Sequence, residues 1–325
     1  MPAAGFALKS IEISGIQRGL THGRWKKNLK TLKLYISARS DCRQIIKNFE
    51  PDIVVGFGGY VGGTVVRVAQ QMRIKTAIHE QNAFPGVANK YVAPRADLVM
   101  LTSQDAASRI KCKNEPILTG LPIRDGILSI TREQARESLY LKDDEILVLS
   151  FGGSLGARRI NECMLDVMKF YYNEEQVRFI HSYGQYGRWL PEAAKKEGIP
   201  LGGRFDIREY IDDMQLCLNA ADIVVCRSGA STLAELECAG VPSILIPSPN
   251  VAENHQYHNA MELFNCGAAI VIEEGDLTSV SLMDAIDSLV KSNETRRQMG
   301  RKAMTLAHAD AAEKMSRLCI ELAEK

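Results

Sequence analysis

What this 325-residue chain lacks narrows its function before any motif is considered. No apolar run approaches the eighteen or so residues needed to cross a bilayer, and the opening MPAAGFALKS has no long apolar core of the signal-peptide kind, so a cytosolic protein is expected. None of the eight cysteines (Cys42, Cys112, Cys163, Cys217, Cys226, Cys238, Cys266, Cys319) forms a CxxC pair. Several fall in apolar segments, which points to reduced, buried thiols, with neither disulfides nor zinc implied. No glycine loop ends in GK[ST], which excludes a Walker site, and there is no long repeat or low-complexity tract. A composition of 46% hydrophobic and 24% charged residues is that of a globular protein, and the length suits two ordinary domains.

The net charge of +1 conceals an asymmetry. Residues 1–125 hold 19 Lys and Arg against 9 Asp and Glu, and the rest hold 21 against 30. Between Lys9 and Lys47, ten basic residues face only Glu12 and Asp41, so the N-terminal part is built to meet an anionic partner. Trp25-Lys26-Lys27-Asn28-Leu29-Lys30-Thr31-Leu32-Lys33-Leu34-Tyr35 interleaves apolar residues with lysines, as in a helix lying on an anionic membrane surface. A plain amphipathic helix with its leucines on the core fits the same pattern. Nucleic acid is not expected, because overall charge is near neutral and no nucleic-acid motif occurs.

Two series of alternating strand and helix patterns are legible, joined near residues 115–145. The first has strands at Ala7–Ile13, Asp52–Phe57, Lys75–His79 and Leu98–Thr102, with helices at Leu29–Asn48, Thr64–Met72 and around Val87–Ala93. The second has strands at Ile146–Phe151, Val177–His181, Ile207–Tyr210, Ile223–Cys226, Ser243–Ile246 and Ala269–Ile272, separated by helices. Such βαβ runs predict an α/β protein of two Rossmann-like domains, with parallel sheets facing a cleft. The expected division is 1–125 and 126–325, with the last helix a candidate to cross back to the first domain.

The stretch CRSGASTLAE, from Cys226 to Glu235, is the most telling. A buried strand ends in glycine and small hydroxyl residues and a helix opens, predicted over Thr232–Ala239. Unpaired N–H groups and the positive end of the helix dipole then face one point, so the turn can hold a phosphate without a lysine. Glu235 lies within one turn, about 5 Å along the axis, where a carboxylate can accept both hydroxyls of a ribose. A tight turn followed by a solvated glutamate is the plainer reading of the same residues. Asn254-His255-Gln256, after the strand at Ser243, should lie at the same carboxyl edge, where parallel sheets bind ligands. Two further glycine loops, GFGGYVGG (Gly56–Gly63) and FGGSLGARRIN (Phe151–Asn161), also follow strands and precede helices. The first departs from GxGxxG, with Val61 at the third position and Gly62 one residue late. His79-Glu80-Gln81-Asn82 places four hydrogen-bonding side chains where an apolar strand ends, which suits a polyhydroxylated sugar.

In order, GFGGYVGG, HEQNAFPGVANK, TGLPIR, FGGSLGARRIN, YIDDM, CRSGASTLAE and NHQYHNA resemble the MurG family of bacterial transferases. These move N-acetylglucosamine from UDP-GlcNAc to an undecaprenyl-pyrophosphoryl-linked muramyl-pentapeptide in peptidoglycan synthesis, lipid I to lipid II. The resemblance runs from about Ala4 to the C-terminus. It implies a GT-B fold, an inverting transfer without metal or other cofactor, and a peripheral protein on the cytoplasmic side of the anionic inner membrane. By motif, Ser154, Ile211, Ala230, Ser231, Thr232, Leu233, Ala234, Glu235 and Gln256 match donor-binding positions, with Glu235 on the ribose, Ile211 framing the uracil and Gln256 reaching the sugar. Asn82 and Arg124 match positions facing the donor from the N-domain side. Gly58, Gly59, Tyr60 and Gly62 fall in the loop matching the acceptor-pyrophosphate side. His79 and Glu80 are the candidate bases. The family also opens with a strand, a GGTGGH-type loop and a helix that do not occur in this sequence, so the N-terminal domain is expected to be incomplete and the chain, as written, to transfer poorly. Two other functions fit: a UDP-sugar transferase with another lipid acceptor, such as diacylglycerol, and a catalytically impaired sugar-nucleotide-binding fragment.

Overall fold

A computed structural model describes residues 5–13 and 24–325, and in the helix Arg24–Phe49 it describes side chains only from residue 37 onward. The chain divides into two compact units, one of Met1–Thr119 with Glu313–Lys325 and one of Gly120–Ala312.

In the first unit, β1 (Ile53–Gly56), β2 (Lys75–Glu80), β3 (Leu98–Leu101) and β4 (Ile117–Leu118) form a parallel sheet in the order β1-β2-β3-β4. Alternate residues serve opposite faces, as the strand period requires. Ile78, Val99 and Leu101 pack with Val66 and Val92 of the helices Gly59–Gln71 and Val87–Val92. Ala77, Leu98 and Met100 pack with Met315, Leu318, Cys319 and Leu322 of the helix Ala311–Ala323. The last helix thus covers one face of the first sheet, and Lys314 Nζ donates to the Leu118 carbonyl at 2.8 Å.

The second unit is a six-stranded parallel sheet of β5 (Ile146–Phe151), β6 (Val177–Ser182), β7 (Phe205–Arg208), β8 (Ile223–Cys226), β9 (Ser243–Leu245) and β10 (Ala269–Val271), in the order β10-β9-β8-β5-β6-β7. Leu147, Leu149, Val224 and Leu245 face a layer that includes the helices Ala230–Ala239 and His255–Cys266. Val148, Phe179, Val225 and Ile244 face the helices Arg158–Phe170 and Ser279–Val290. Burial on both faces is why these strands read as continuous apolar runs.

Three expectations are corrected. Ala7–Ile13 is irregular and pairs with no strand among the described residues; alternation alone makes no strand without a ladder partner, and Ile11 packs beside Cys42 and Ile46 instead. The strand expected at Ile207–Tyr210 is Phe205–Arg208, anchored by Phe205 stacked on Phe179 with ring centroids 5.8 Å apart. The helices expected at Thr64 and Thr232 open earlier, at Gly59 and Ala230, because each begins on the glycine turn itself. The side chains of Trp25–Tyr35 lie outside the described residues, though that stretch is helical. All eight cysteines are free; Cys42, Cys163, Cys217 and Cys226 are buried and the other four are partly exposed.

Because Met315 is buried against the first sheet, Met315→Ala is expected to cost about 2–5 kcal/mol. Urea unfolding followed by hydrogen exchange should show the loss in β2 and β3, with β5 and β8 unaffected. Loss confined to the second unit would contradict this packing.

Candidate nucleotide-sugar site

In the second unit, Phe151 lies opposite Cys226 and Cys226 opposite Leu245 in the ladder, so the segments leaving β5, β8 and β9 start level with one another. After β5 comes the loop Gly152–Ala157, in which Gly156 has φ +83°. A Cβ on Gly156 would overlap the Tyr183 carbonyl, and one on Gly184 (φ +69°) would overlap the Gly156 backbone, so two main chains touch here. Gln185 N and Tyr186 N donate to Ser154 O and Leu155 O at 3.1 and 2.9 Å. Ser154 is held exposed at the edge, ahead of the helix Arg158–Phe170, whose N-terminus no side chain caps.

After β8, three residues lead into the helix Ala230–Ala239. Its N-cap is Gly229, again without a side-chain cap. Gly229 has φ −71°, which any residue adopts, and a Cβ there would meet nothing within 4 Å. The fold does not require this glycine; the space beside its Cα is open. Ser231 is exposed, Ala230 and Thr232 are half-buried, and Leu233 and Ala234 are buried.

Glu235 is buried, which removes the reading of a solvated helix residue. Burial pushes its carboxyl above the usual range, and Arg124 pulls it back. Arg124 Nε stands 3.2 Å from Glu235 Oε1. Arg124 was expected on the N-domain side; it belongs to the second unit, just before the helix Asp125–Ser129, and reaches Glu235 from there. Ile211, after β7, is buried in the core beside Leu218 and Phe151. Gln256 Oε1 accepts from Ser248 N at 2.8 Å, and the Gln256 carbonyl accepts from Ser228 Oγ at 2.8 Å, so this residue binds the loop after β9 to the turn after β8.

The first unit gathers its own cluster. Gly58 and Gly59, both at positive φ, follow β1 and open the helix that carries Tyr60 and Gly62; Tyr60 is exposed. His79 and Glu80 are fully buried at the end of β2. Glu80 accepts from Asn82 N (3.0 Å) and Asn82 Nδ2 (3.3 Å) on one oxygen, and from Gly86 N (2.9 Å) and Asn89 Nδ2 (2.8 Å) on the other. It is a loop-organising carboxylate in this arrangement, with both oxygens committed. The ring of His79 faces Gln81 Nε2 at 3.3 Å and Thr102 Oγ1 at 3.5 Å. Among the described residues no His, Cys, Asp and Glu cluster has the makings of a metal site, and no helix is long and apolar enough to cross a membrane.

Sequence reading missed Asn89, Arg227 and Asn259. Asn259 Nδ2 donates to Ser228 O at 3.2 Å, and Arg227 reaches two carbonyls beyond β9. Their signal was faint: a polar residue on an apolar helix face, or a charge wedged between a buried strand and a glycine.

Two stretches match glycosyltransferase family 28, its N-terminal domain over residues 1–101 and its C-terminal domain over residues 147–315. The chain belongs to glycosyltransferase family 28. It is 41% identical to a UDP-N-acetylglucosamine–N-acetylmuramyl-(pentapeptide) pyrophosphoryl-undecaprenol N-acetylglucosamine transferase of Desulforamulus reducens, over 99% of this chain and 86% of that protein. The transferase of the same name from Caldanaerobacter subterraneus is 39% identical over 98% of this chain and 86% of its own length. The crystal structure of Acinetobacter baumannii MurG matches with a TM-score of 0.76 at 25% identity, covering 98% of this chain and 86% of that one. This family member is therefore a glycosyltransferase of GT-B fold.

The glycines divide by role. Gly156→Ala is expected to cost at least about 2 kcal/mol, for left-handed backbone and overlap together. Gly229→Ala should stay within about 1 kcal/mol of the parent, a poorer cap offset by a stiffer unfolded chain. Urea denaturation of both variants measures the contrast, and equal losses would refute it.

The site helix carries a second carboxylate with a pH signature. Burial, then the neighbouring charge of Glu262, pushes Glu237 from 4.5 up to about 8. The folded chain holds a proton there that the unfolded chain has released, so stability falls as pH rises from about 4.5 to about 8 and levels off above. Glu237→Gln is expected to flatten that slope and raise Tm at pH 9, with little change at pH 5. Parallel Tm profiles of the two proteins would exclude a buried proton at Glu237.

Proposed function

We propose that this chain transfers N-acetylglucosamine from UDP-GlcNAc to an undecaprenyl-pyrophosphoryl-linked muramyl-pentapeptide, forming lipid II. The observation that carries the reading is the buried Glu235 one turn inside a helix that no side chain caps and that opens on a glycine with free space beside its Cα. A carboxylate that accepts two ribose hydroxyls and a helix N-terminus that accepts a diphosphate match the two hydrophilic parts of UDP. The names and close similarity of the relatives supply the sugar and the acceptor.

In this mechanism an acceptor hydroxyl attacks the anomeric carbon, inverting it; the bond to UDP breaks with its electron pair on the diphosphate, and the hydroxyl proton passes to solvent water. Negative charge grows on the diphosphate, so catalysis needs fixed positive potential there. The N–H groups of Ala230, Ser231 and Thr232, the loop at Ser154 and the guanidinium of Arg124 supply it, without a divalent ion. Leu233 and Ala234 set the helix against the core so that Glu235 meets the ribose. Ile211, its side chain buried, frames the uracil with its main chain, and Gln256 addresses the sugar. The Gly58, Gly59, Tyr60 and Gly62 loop takes the acceptor pyrophosphate. His79 and Glu80 hold the Gln81–Gly86 loop rather than take the proton, because both are buried and Glu80 is saturated with donors. The protein works at the cytoplasmic face of the membrane. Exposed Phe57, Tyr60, Val61, Val87 and Tyr91 in the first unit, with Lys90 and Arg109 beside the Phe84 ring, support contact with an anionic lipid surface.

UDP is expected to raise Tm more than ADP does. Glu235→Ala should weaken UDP by about 1.5–3 kcal/mol, the loss of hydrogen bonds to a charged group. Gly229→Ala should weaken UDP in a protein of near-parental stability. Transfer of labelled GlcNAc to the lipid-linked muramyl-peptide, with and without EDTA, tests the reaction; transfer to diacylglycerol instead, or equal Tm shifts with UDP and ADP, would overturn the reading.

A further inference from the structure

Only Arg227, Ser228 and Gly229 join β8 to the helix Ala230–Ala239. The aim of that helix's first N–H groups therefore depends on what fixes these three residues, and no side-chain cap does so. Arg227 Nη1 donates to the carbonyls of Ile246 and Pro247, each at 3.1 Å, in the segment leaving β9. Its Nη2 donates to Glu274, just beyond β10. The guanidinium is largely buried, at 15% side-chain exposure, and its charge is met by Glu274, at 19%. Ser228 is fully buried, donates to the Gln256 carbonyl and accepts from Asn259. Three strand ends are thus joined through one planar group.

We infer that Arg227 is a positioning residue for the diphosphate: it contacts no ligand but fixes the turn from which the N–H groups of Ala230 to Thr232 point. The inference rests on the UDP reading above. Two features separate this role from direct phosphate binding. Both Nη atoms are already spent on protein oxygens, and the positive charge is neutralised within the fold. Lysine cannot replace it, because a single ammonium lacks the planar fork that spans two carbonyls and a carboxylate at once.

The test compares UDP with uridine, which keeps the ribose and base but has no phosphate. For Arg227→Lys, UDP affinity is expected to fall roughly ten- to a hundredfold, the range for losing hydrogen bonds made by a charged group. Uridine affinity should hold within about twofold, because Glu235 lies beyond the displaced turn. Donor KM should rise more than kcat falls. Glu274→Gln keeps an acceptor for Nη2, so it should fold where Arg227→Lys does not, and should show a smaller loss confined to UDP. Unchanged UDP affinity in both folded variants, or equal losses of UDP and uridine, would overturn the proposal, the second outcome marking a general loosening. A parent protein that binds ADP as well as UDP would instead overturn the nucleotide reading beneath it.

Discussion

Parallel pairing in a fixed register is the constraint on which the rest of the second unit depends. With Phe151, Cys226 and Leu245 level across the sheet, the chain must leave β5, β8 and β9 at one edge and one height. A one-residue slip of β8 against β5 would turn Val224 and Cys226 out of one core layer and Val225 out of the other, so burial on both faces enforces the register strongly. The loops at Ser154, Arg227 and Pro247 are therefore brought together by packing well below them. Contact between the Gly156 and Gly184 backbones adds the loop after β6 to the same assembly.

Two buried glutamates show how environment assigns a role to one residue type. Glu80 has four donors from its own loop and has become part of the backbone scaffold of Gln81–Asn89. Glu235 has one long contact, to Arg124, and little else to offset its burial. A carboxylate kept buried with spare lone pairs gains from any further donor, because each bond made there offsets desolvation already incurred.

Much of this was legible in the sequence, for identifiable reasons. Ile146–Phe151, Val177–His181 and Ile223–Cys226 announced themselves because strands covered on both faces must be apolar throughout. The turn at Gly229 was visible because glycine and small hydroxyl residues between a strand and a helix have few other uses. What could not be read was partnership across the chain. Nothing local tells that Ala7–Ile13 has no strand to pair with among the described residues, that Arg124 reaches Glu235 over a hundred residues on, or that the HEQN string turns Glu80 inward to bind its own loop. Alternation predicts a face; it does not supply the neighbour.

The return of residues 313–325 to the first unit bears on how the chain is made. The ribosome delivers residues 120–312 as one uninterrupted block, able to collapse as soon as it clears the exit tunnel. The first unit is translated earlier but stays open on the face of Ala77, Leu98 and Met100 until the helix Ala311–Ala323 is released. Order of synthesis and order of completion are thus reversed, and the nascent protein carries an uncovered apolar sheet until residues 313–325 emerge, the interval in which a chaperone has most to protect.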